Sequence, residues 1–266
     1  MHKNTGSLLK IAIAGINGRM GGALSSIINN DPRFEFVGGF DRSVKNSVDF
    51  VERSLVVDSA DVILDFTTGC AAADLATLCA ENGGPALVIG ATGFSSEDLS
   101  KIDVAANVIP IVRAGNFSIG LNMLVSLVKQ VSRAFPAESW DIEIVEAHHR
   151  YKVDAPSGAA LMLGEAAALG RNVQHNSVEC RGRTGITGER PIGEIGYSSL
   201  RGGGIVGEHS AVFAAAEEVV TLSHSALDRS MFARGALTAA LWIHGRAPGQ
   251  YSMLDVLEVG DRDDGI

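Results

Sequence analysis

Short apolar segments alternate with helical patterns through the first half of the chain. Residues 8–14, LLKIAIA, form an apolar run that is interrupted at Lys10 and is continuous enough for a strand buried on both faces. Four more such runs follow, at residues 34–40, 62–66, 86–90 and 108–112. Between them apolar residues recur at helical spacing, for example Met20, Leu24 and Ile27. Strands separated by helices join through right-handed crossovers into a parallel sheet, which predicts a doubly wound α/β domain.

The pattern changes after residue 117. Helical periodicity predicts helices over residues 117–135, 157–169 and 229–242, and strand-like runs lie at residues 141–147, 195–200, 205–214 and 218–223. In residues 171–192, polar residues without periodicity predict one long loop. Because the strands now follow one another with few helices between them, we expect a C-terminal α+β domain with a mixed sheet.

Composition narrows the class of protein. Of 266 residues, 46% are hydrophobic and 20% are charged, which is ordinary globular usage. The net charge of −9 argues against nucleic-acid and membrane-surface binding, which favour a basic face, and no apolar run reaches the roughly 18 residues of a membrane-spanning helix. The three cysteines are odd in number and widely spaced, so they predict neither a disulfide framework nor a zinc site. We therefore expect a cytoplasmic protein without a metal.

A glycine-rich turn links the first predicted strand to the first helix. Residues 15–21, GINGRMG, have the spacing G-x-x-G-x-x-G, with Asn17 where the usual dinucleotide fingerprint has its second glycine. Glycines there let the backbone approach a pyrophosphate, which the helix N-terminus stabilises. Asp41, at the end of the second strand, is placed to accept hydrogen bonds from the ribose of NAD, and Arg42 to pair with the 2′-phosphate of NADP. The alternative is a plain turn that caps the helix.

Three further loops follow predicted strands, at Thr67–Thr68, Gly90–Gly93 and Ala114–Phe117. Open parallel sheets bind ligands beyond the carboxyl ends of their strands. Each loop alone is typical of an ordinary turn. As a set on one edge, their small and amide residues favour a cofactor cleft.

A second polar group lies just before the alanine-rich helix. The segment EAHHRYKVDAPSG, residues 146–158, contains two histidines, an arginine and a lysine. Ser157 is placed to cap the helix, and the N–H groups of Gly158 and Ala159 to bind an anion. With Lys152 and a histidine as candidate general acids, the segment indicates a site for a carboxylate-bearing substrate. The alternative is a basic surface loop with one buried histidine.

The chain resembles the 4-hydroxy-tetrahydrodipicolinate reductase (dihydrodipicolinate reductase) family over residues 8–257. The resemblance lies in the motifs IAIAGINGRMG, DFTTG, IGATGF, AGNFSIG, IEIVEAHHRYKVDAPSGAAL, TGERPIGEIGY, IVGEHSAVF and FARGALTAALW. It implies a Rossmann-like N-terminal domain and a homotetramer formed through the C-terminal sheet. It also implies reduction of 4-hydroxy-tetrahydrodipicolinate, a dicarboxylate, to tetrahydrodipicolinate by NADPH or NADH in lysine biosynthesis.

The resemblance also assigns roles to residues. It implies that His148 is the proton donor and acceptor and that Lys152 is a second proton donor. The implied substrate-binding residues are His149, Ser157, Gly158 and Ala159, of which Ala159 stands where the family usually has threonine. The implied cofactor-binding residues are Gly15, Ile16, Asn17, Gly18, Arg19, Met20, Asp41, Arg42, Gly90, Ala91, Thr92, Ala114, Gly115, Asn116 and Phe117.

The implied domains are a dinucleotide-binding domain at residues 1–117, completed by about 229–266, and a substrate-binding and oligomerisation domain at residues 118–228. Two other functions stay open: a reductase of another small cyclic imine or keto acid, and a non-catalytic NAD(P)-binding redox sensor. The choice between NADH and NADPH also stays open, because Asp41 favours the first and Arg42 the second.

Overall fold

The molecule divides into two units, each with its own sheet; apolar cores lie on both faces of the first sheet and on one face of the second. The computed structural model describes residues 7–41 and 53–259. One unit comprises the described residues up to Phe117 together with Ser230–Glu258, and the other comprises Ser118–Arg229 together with Val259.

In chain order, the elements are β1 (Leu9–Ala14), α1 (Arg19–Ile28), β2 (Phe34–Phe40), α2 (Arg53–Ser59), β3 (Val62–Asp65), α3 (Gly69–Glu81), β4 (Ala86–Ile89), α4 (Ser96–Ala105), β5 (Pro110–Arg113), α5 (Ile119–Ala134), β6 (Asp141–His148), α6 (Gly158–Gly170), α7 (His175–Val178), β7 (Glu179–Cys180), β8 (Ile195–Arg201), β9 (Gly207–Ala214), β10 (Val219–Ala226), α8 (Ser230–Ile243), β11 (Gly249–Tyr251) and α9 (Met253–Val256).

The strands of the first unit form one parallel sheet in the order β11-β5-β4-β3-β1-β2. On β1, Ile11 and Ile13 are buried in one core, and Ala12 and Ala14 are buried in the other, because successive side chains of a strand point to opposite faces. Helices α1, α8 and α9 contribute to the first core, and α2, α3 and α4 contribute to the second. The predicted Rossmann-like, doubly wound fold is confirmed.

The second unit contains a five-stranded mixed sheet in the order β10-β9-β6-β8-β7. Strand β6 pairs antiparallel with β9 and parallel with β8. Residues of α5 and α6 pack with Ile142 and Ile144 of β6 in the core on one face. On the opposite face Val145 and Leu200 are 42% and 54% exposed. The predicted mixed sheet is confirmed.

The prediction of one long loop at residues 171–192 is wrong in its first part. The structure places α7 and β7 there, and β7 pairs in parallel with β8 through Glu179 and Cys180. Elements of four and two residues are too short to produce a recognisable period. The same reason applies to the three-residue edge strand β11, which the pattern also did not predict.

Three further observations concern membranes, metals and cysteines. Within residues 7–41 and 53–259, no helix combines the length and the apolar character that spanning a membrane requires. In the same described residues, no group of three or more His, Cys, Asp or Glu side chains is arranged to hold a metal ion. Cys70, Cys79 and Cys180 are free thiols, and burial raises the pKa of Cys79 to about 12.

Candidate functional site

The glycine turn lies between β1 and α1. Gly15 has a φ of +78°, and its N–H donates to the carbonyl of Phe40 at 2.8 Å, which ties the turn to the end of β2. The N–H of Gly18 donates to the carbonyl of Gly15 at 2.9 Å, and Gly18 is the N-cap of α1. A Cβ at Gly21 would lie 2.4 Å from the carbonyl oxygens of Gly15 and Ile16, so only glycine permits this close approach of helix and turn. The turn therefore brings a helix N-terminus beside the end of β1, which suits a phosphate group.

A cavity of about 450 Å³ lies beside this turn. Residues from the ends of β1, β2 and β3 line it, and among them are Gly15, Gly18 and Asp41. The chain passes from β1 to β2 on one side of β1 and then to β3 on its other side, so the cavity lies at the switch point where such sheets bind ligands. The structure thus brings together three of the residues that were predicted to bind the cofactor. Arg53, the first residue of α2, also lines the cavity, and no sequence pattern indicated it.

Asp65, at the end of β3, shapes the wall of the cavity. Its carboxylate accepts hydrogen bonds from the N–H of Thr67 at 2.8 Å and from the hydroxyl of Thr67 at 2.5 Å. Burial raises the pKa of Asp65, while these hydrogen bonds and the charge of Arg53 oppose the rise. The bonds fix the loop after β3, where the Thr67 methyl would lie 2.9 Å from a Cβ at Gly15.

The other predicted cofactor-binding residues differ in exposure. The side chains of Ile16, Ala91 and Phe117 are buried in the apolar cores. The exposed members are Asn17, Arg19, Thr92 and Gly115, and the partly exposed members are Met20, Gly90, Ala114 and Asn116. Arg42 lies outside the described residues.

The cavity and the turn fit an NAD(P) cofactor. The backbone at Gly15 and Gly18 suits a pyrophosphate, and the Asp41 carboxylate suits ribose hydroxyls. The Nε atom and one terminal nitrogen of Arg53 are buried without a hydrogen-bond partner among the described residues. Such nitrogens suit an anionic ligand, because an unmade hydrogen bond of a buried charged group is costly.

His148, at the end of β6, is held by a carboxylate. Its Nδ1 lies 2.6 Å from Oε2 of Glu146, two residues earlier on the same face of the strand. Because an ionised carboxylate only accepts hydrogen bonds, Nδ1 carries the proton and Nε2 is the ring nitrogen left for chemistry. The side chain is 12% exposed; burial lowers the pKa of His148, and the bond to Glu146 opposes this effect.

Glu146 is itself buried and strongly bonded. Its side chain is 1% exposed, and Arg201 donates to its two carboxylate oxygens at 2.8 and 2.6 Å. Burial raises the pKa of Glu146, but hydrogen bonds from Arg201, Ser199 and His148 outweigh burial and lower it to about 2. Spacing along β6 was a signal for Glu146, because residues i and i+2 share a face. Arg201 comes 55 residues later, and no local pattern links the two.

Lys152 belongs to the loop after β6. Its Nζ lies 2.8 Å from the carboxylate of Asp154, and the hydrogen bond from Lys152 lowers the pKa of Asp154. Arg201 donates to the backbone carbonyl of Asp154 at 2.7 Å. One guanidinium therefore joins Glu146, which holds His148, to the loop that carries Lys152.

The N-terminus of α6 follows this loop. The buried hydroxyl of Ser157 accepts a hydrogen bond from the N–H of Ala160 at 3.2 Å, so it caps the helix. The N–H of Ser157 donates to Oε1 of Glu146 at 3.2 Å. Gly158 is exposed, and a Cβ there would meet no atom of the described residues within 4 Å. This helix end is therefore accessible to a carboxylate at Gly158.

His149 and Ala159 complete the predicted substrate-binding set, and both are partly exposed. Nε2 of His149 lies 3.2 Å from a terminal nitrogen of Arg229, so a cation borders this histidine. Ala159 has no hydroxyl, and its N–H is the hydrogen-bond donor of this position.

Two more histidines lie beside the cluster on adjacent strands. His209 of β9 pairs in register with Glu146 of β6 and with His224 of β10. The rings of His209 and His148 are 5.1 Å apart. Burial, together with the charges of His148 and His224, lowers the pKa of His209 to about 4. A row of polar side chains therefore crosses the sheet from Arg201 of β8, through Glu146 and His148 of β6 and His209 of β9, to His224 of β10.

Two family models match consecutive parts of the chain: "Dihydrodipicolinate reductase, N-terminus" over residues 9–117 and "Dihydrodipicolinate reductase, C-terminus" over residues 120–257. A 4-hydroxy-tetrahydrodipicolinate reductase from Caulobacter vibrioides is 53% identical over 249 residues, which cover 94% of this chain and 97% of that protein. The protein of the same name from Roseobacter denitrificans is 47% identical and covers 95% and 98%. A solved dipicolinate-bound dihydrodipicolinate reductase from Paenisporosarcina sp. TG-14 has a TM-score of 0.77 and 25% identity, and covers 94% of this chain and 99% of that one. The chain belongs to the dihydrodipicolinate reductase family.

Proposed function

We propose that the chain catalyses the NADPH- or NADH-dependent reduction of (2S,4S)-4-hydroxy-2,3,4,5-tetrahydrodipicolinate to 2,3,4,5-tetrahydrodipicolinate. The reaction releases water and belongs to lysine biosynthesis through diaminopimelate. The observation that carries the proposal is the bonded group of His148, Glu146 and Arg201 beside the Lys152 loop in a member of this family.

The first unit would hold the dinucleotide, which supplies the hydride when bound. The turn from Gly15 to Met20 would hold the pyrophosphate, and Asp41 with Arg42 the adenosine ribose. The loops Gly90–Thr92 and Ala114–Phe117 would line the rest of the cofactor.

The second unit would bind the substrate and move the protons. Nε2 of His148 is the atom assigned to proton transfer, because Nδ1 is bonded to Glu146. Lys152 is the second proton donor, and its ammonium group attracts a dicarboxylate. His149 and the N–H groups of Gly158 and Ala159 would bind the carboxylates, while Ser157 orients this helix end by capping it.

The assembly proposed is a homotetramer that works in the cytoplasm. The sheet face with Val145 and Leu200 supports an assembly of copies, because apolar side chains on an open sheet face favour burial against a partner. The free thiols of Cys70, Cys79 and Cys180 support a reducing compartment. Residues 1–117 with about 229–266 would form the dinucleotide-binding domain, and residues 118–228 the substrate-binding and oligomerisation domain.

The test follows NAD(P)H absorbance with enzymatically generated 4-hydroxy-tetrahydrodipicolinate and, in parallel, with other small cyclic imines and keto acids. Rapid substrate-dependent oxidation with the first compound supports the proposal. Oxidation only with another imine or keto acid assigns a different substrate. Dinucleotide binding without turnover of any compound favours the redox sensor.

A further inference from the structure

Arg53 is a charged residue of the first unit to which neither the family resemblance nor the sequence pattern gave a role. It is the first residue of α2 and lines the same cavity as Gly15, Gly18 and Asp41. Its guanidinium carbon lies 5.9 Å from the centre of the Phe40 ring, which ends β2. Arg53 therefore contributes a positive charge to the cavity that Asp41 also lines.

The guanidinium of Arg53 is poorly satisfied within the chain. Nε and one terminal nitrogen are buried and have no hydrogen-bond partner among the described residues. The charge of Arg53 opposes the rise in the pKa of the nearby Asp65, but the Asp65 carboxylate accepts hydrogen bonds from the N–H and the hydroxyl of Thr67. A guanidinium carries five N–H donors in a planar fork, so its unused donors suit an anion that accepts two parallel hydrogen bonds, such as phosphate.

We propose that Arg53 recognises the 2′-phosphate of NADPH. The inference rests on the proposed function, since it assumes that the cavity takes the adenosine end of the dinucleotide. In dinucleotide-binding folds, a carboxylate at the end of the second strand accepts hydrogen bonds from the ribose hydroxyls of NADH, and a nearby cation accommodates the 2′-phosphate of NADPH. Asp41 and Arg53 supply these two groups, since both residues line one cavity.

The experiment measures binding without turnover. Isothermal titration calorimetry compares 2′,5′-ADP, which carries the phosphate at the 2′ position, with 5′-AMP, which lacks it, and then NADPH with NADH. The variant is Arg53→Met, which keeps the apolar stem and removes the charge. The matched control is Arg33→Met, because Arg33 also lies over a phenylalanine of β2, 5.3 Å from the Phe34 ring, but at the opposite end of the strand.

Arg53→Met is expected to weaken binding of 2′,5′-ADP and NADPH by about 10- to 100-fold, the effect of losing hydrogen bonds to a charged group. Binding of 5′-AMP and NADH should change less than about threefold. Arg33→Met should leave binding unchanged both for the compounds that carry the 2′-phosphate and for those that lack it. Arg53→Lys keeps the charge without the fork, so its loss should be smaller and confined to the 2′-phosphate compounds. Circular dichroism and the unfolding temperature check that each variant is folded.

If Arg53→Met loses the same affinity for NADPH as for NADH, the assignment is overturned, and Arg53 contacts the adenosine that both dinucleotides share. Unchanged binding of 2′,5′-ADP by folded Arg53→Met or Arg53→Lys would overturn it as well. Both results leave the reductase proposal intact. If the wild-type chain binds neither dinucleotide, the proposed function fails together with the role of Arg53.

Discussion

Replacing Glu146 by glutamine tests how the histidine of the candidate site is held. The substitution keeps the size of the side chain and removes its charge. Arg201, which now donates to two carboxylate oxygens at 2.8 and 2.6 Å, is left with a neutral partner. Nδ1 of His148, now 2.6 Å from a carboxylate, faces an amide. Both bonds are weakened, because charge-assisted hydrogen bonds are about twice as strong as neutral ones.

The magnitude follows from burial. Removing one partner of a buried ion pair costs about 3–5 kcal/mol. The side chain of Glu146 is 1% exposed and that of Arg201 is 21% exposed, so solvent screens the pair in part. We therefore expect the free energy of unfolding of Glu146→Gln to fall by about 3 kcal/mol, the lower end of that range. Loss of the charged bond removes about 1.5–3 kcal/mol of stabilisation from the protonated His148 ring, which corresponds to a kcat/KM lower by about 10- to 150-fold.

The pH profile distinguishes positioning from general destabilisation. The Glu146 carboxylate favours the protonated form of His148, so its removal lowers the pKa of that ring further. The limb of the kcat/KM profile that requires protonated His148 should move to lower pH. The assay is NAD(P)H oxidation across a pH series, with Glu218→Gln as control, since Glu218 is exposed in the turn between β9 and β10. If folded Glu146→Gln has the same pH profile and the same kcat/KM as the control, Glu146 does not hold His148 for catalysis.

Three further predictions concern stability and assembly. Gly21→Ala should destabilise the chain by about 1–3 kcal/mol, because its Cβ would lie 2.4 Å from two carbonyl oxygens; Gly22→Ala, with open space around its Cβ, should instead stabilise by about 0.5–1 kcal/mol in urea unfolding. The pKa of His209 is lowered from 6.5 to about 4, so the unfolded chain binds the proton more tightly than the folded chain. The free energy of unfolding should therefore fall as the pH decreases from 6.5 to 4, by up to on the order of 3 kcal/mol. His209→Gln should flatten this pH dependence, and the same dependence of stability on pH in both proteins would exclude His209 as its source. Leu200→Glu should reduce the mass measured by light scattering, whereas Val104→Glu, at an exposed position of α4, should not; equal masses exclude the sheet face as the interface.

The sequence allowed prediction of the first unit because its elements carry strong local signals. Strand β1 is apolar apart from Lys10, and α1 repeats apolar residues at helical spacing, so the local pattern predicted both elements. Strand β11 has three residues, and its pairing with β5 depends on a contact between distant parts of the chain. Such pairing leaves no local pattern, which is why the sixth strand was not predicted.

Some residues of the candidate site carry a local sequence signal, whereas others depend on contacts between distant parts of the chain. His148, Lys152 and Ser157 lie within one short segment, and residue type and spacing alone indicated their chemistry. Arg201 reaches Glu146 because β8 pairs with β6 in a register that places it opposite His148. Register follows from the packing of the whole sheet, so no motif contains it. Arg53 likewise lines the cavity from a position that no spacing in the dinucleotide fingerprint describes.

The most direct test of proton transfer by His148 and Lys152 compares the wild-type chain with His148→Gln and Lys152→Ala. Turnover of 4-hydroxy-tetrahydrodipicolinate is measured by NADPH oxidation, and NADPH binding is measured separately by calorimetry. We expect each variant to bind NADPH like the wild type and its kcat to fall by about 10²–10⁴-fold, the usual contribution of a general acid. Near wild-type turnover by both folded variants would contradict the assignment of His148 and Lys152 to proton transfer.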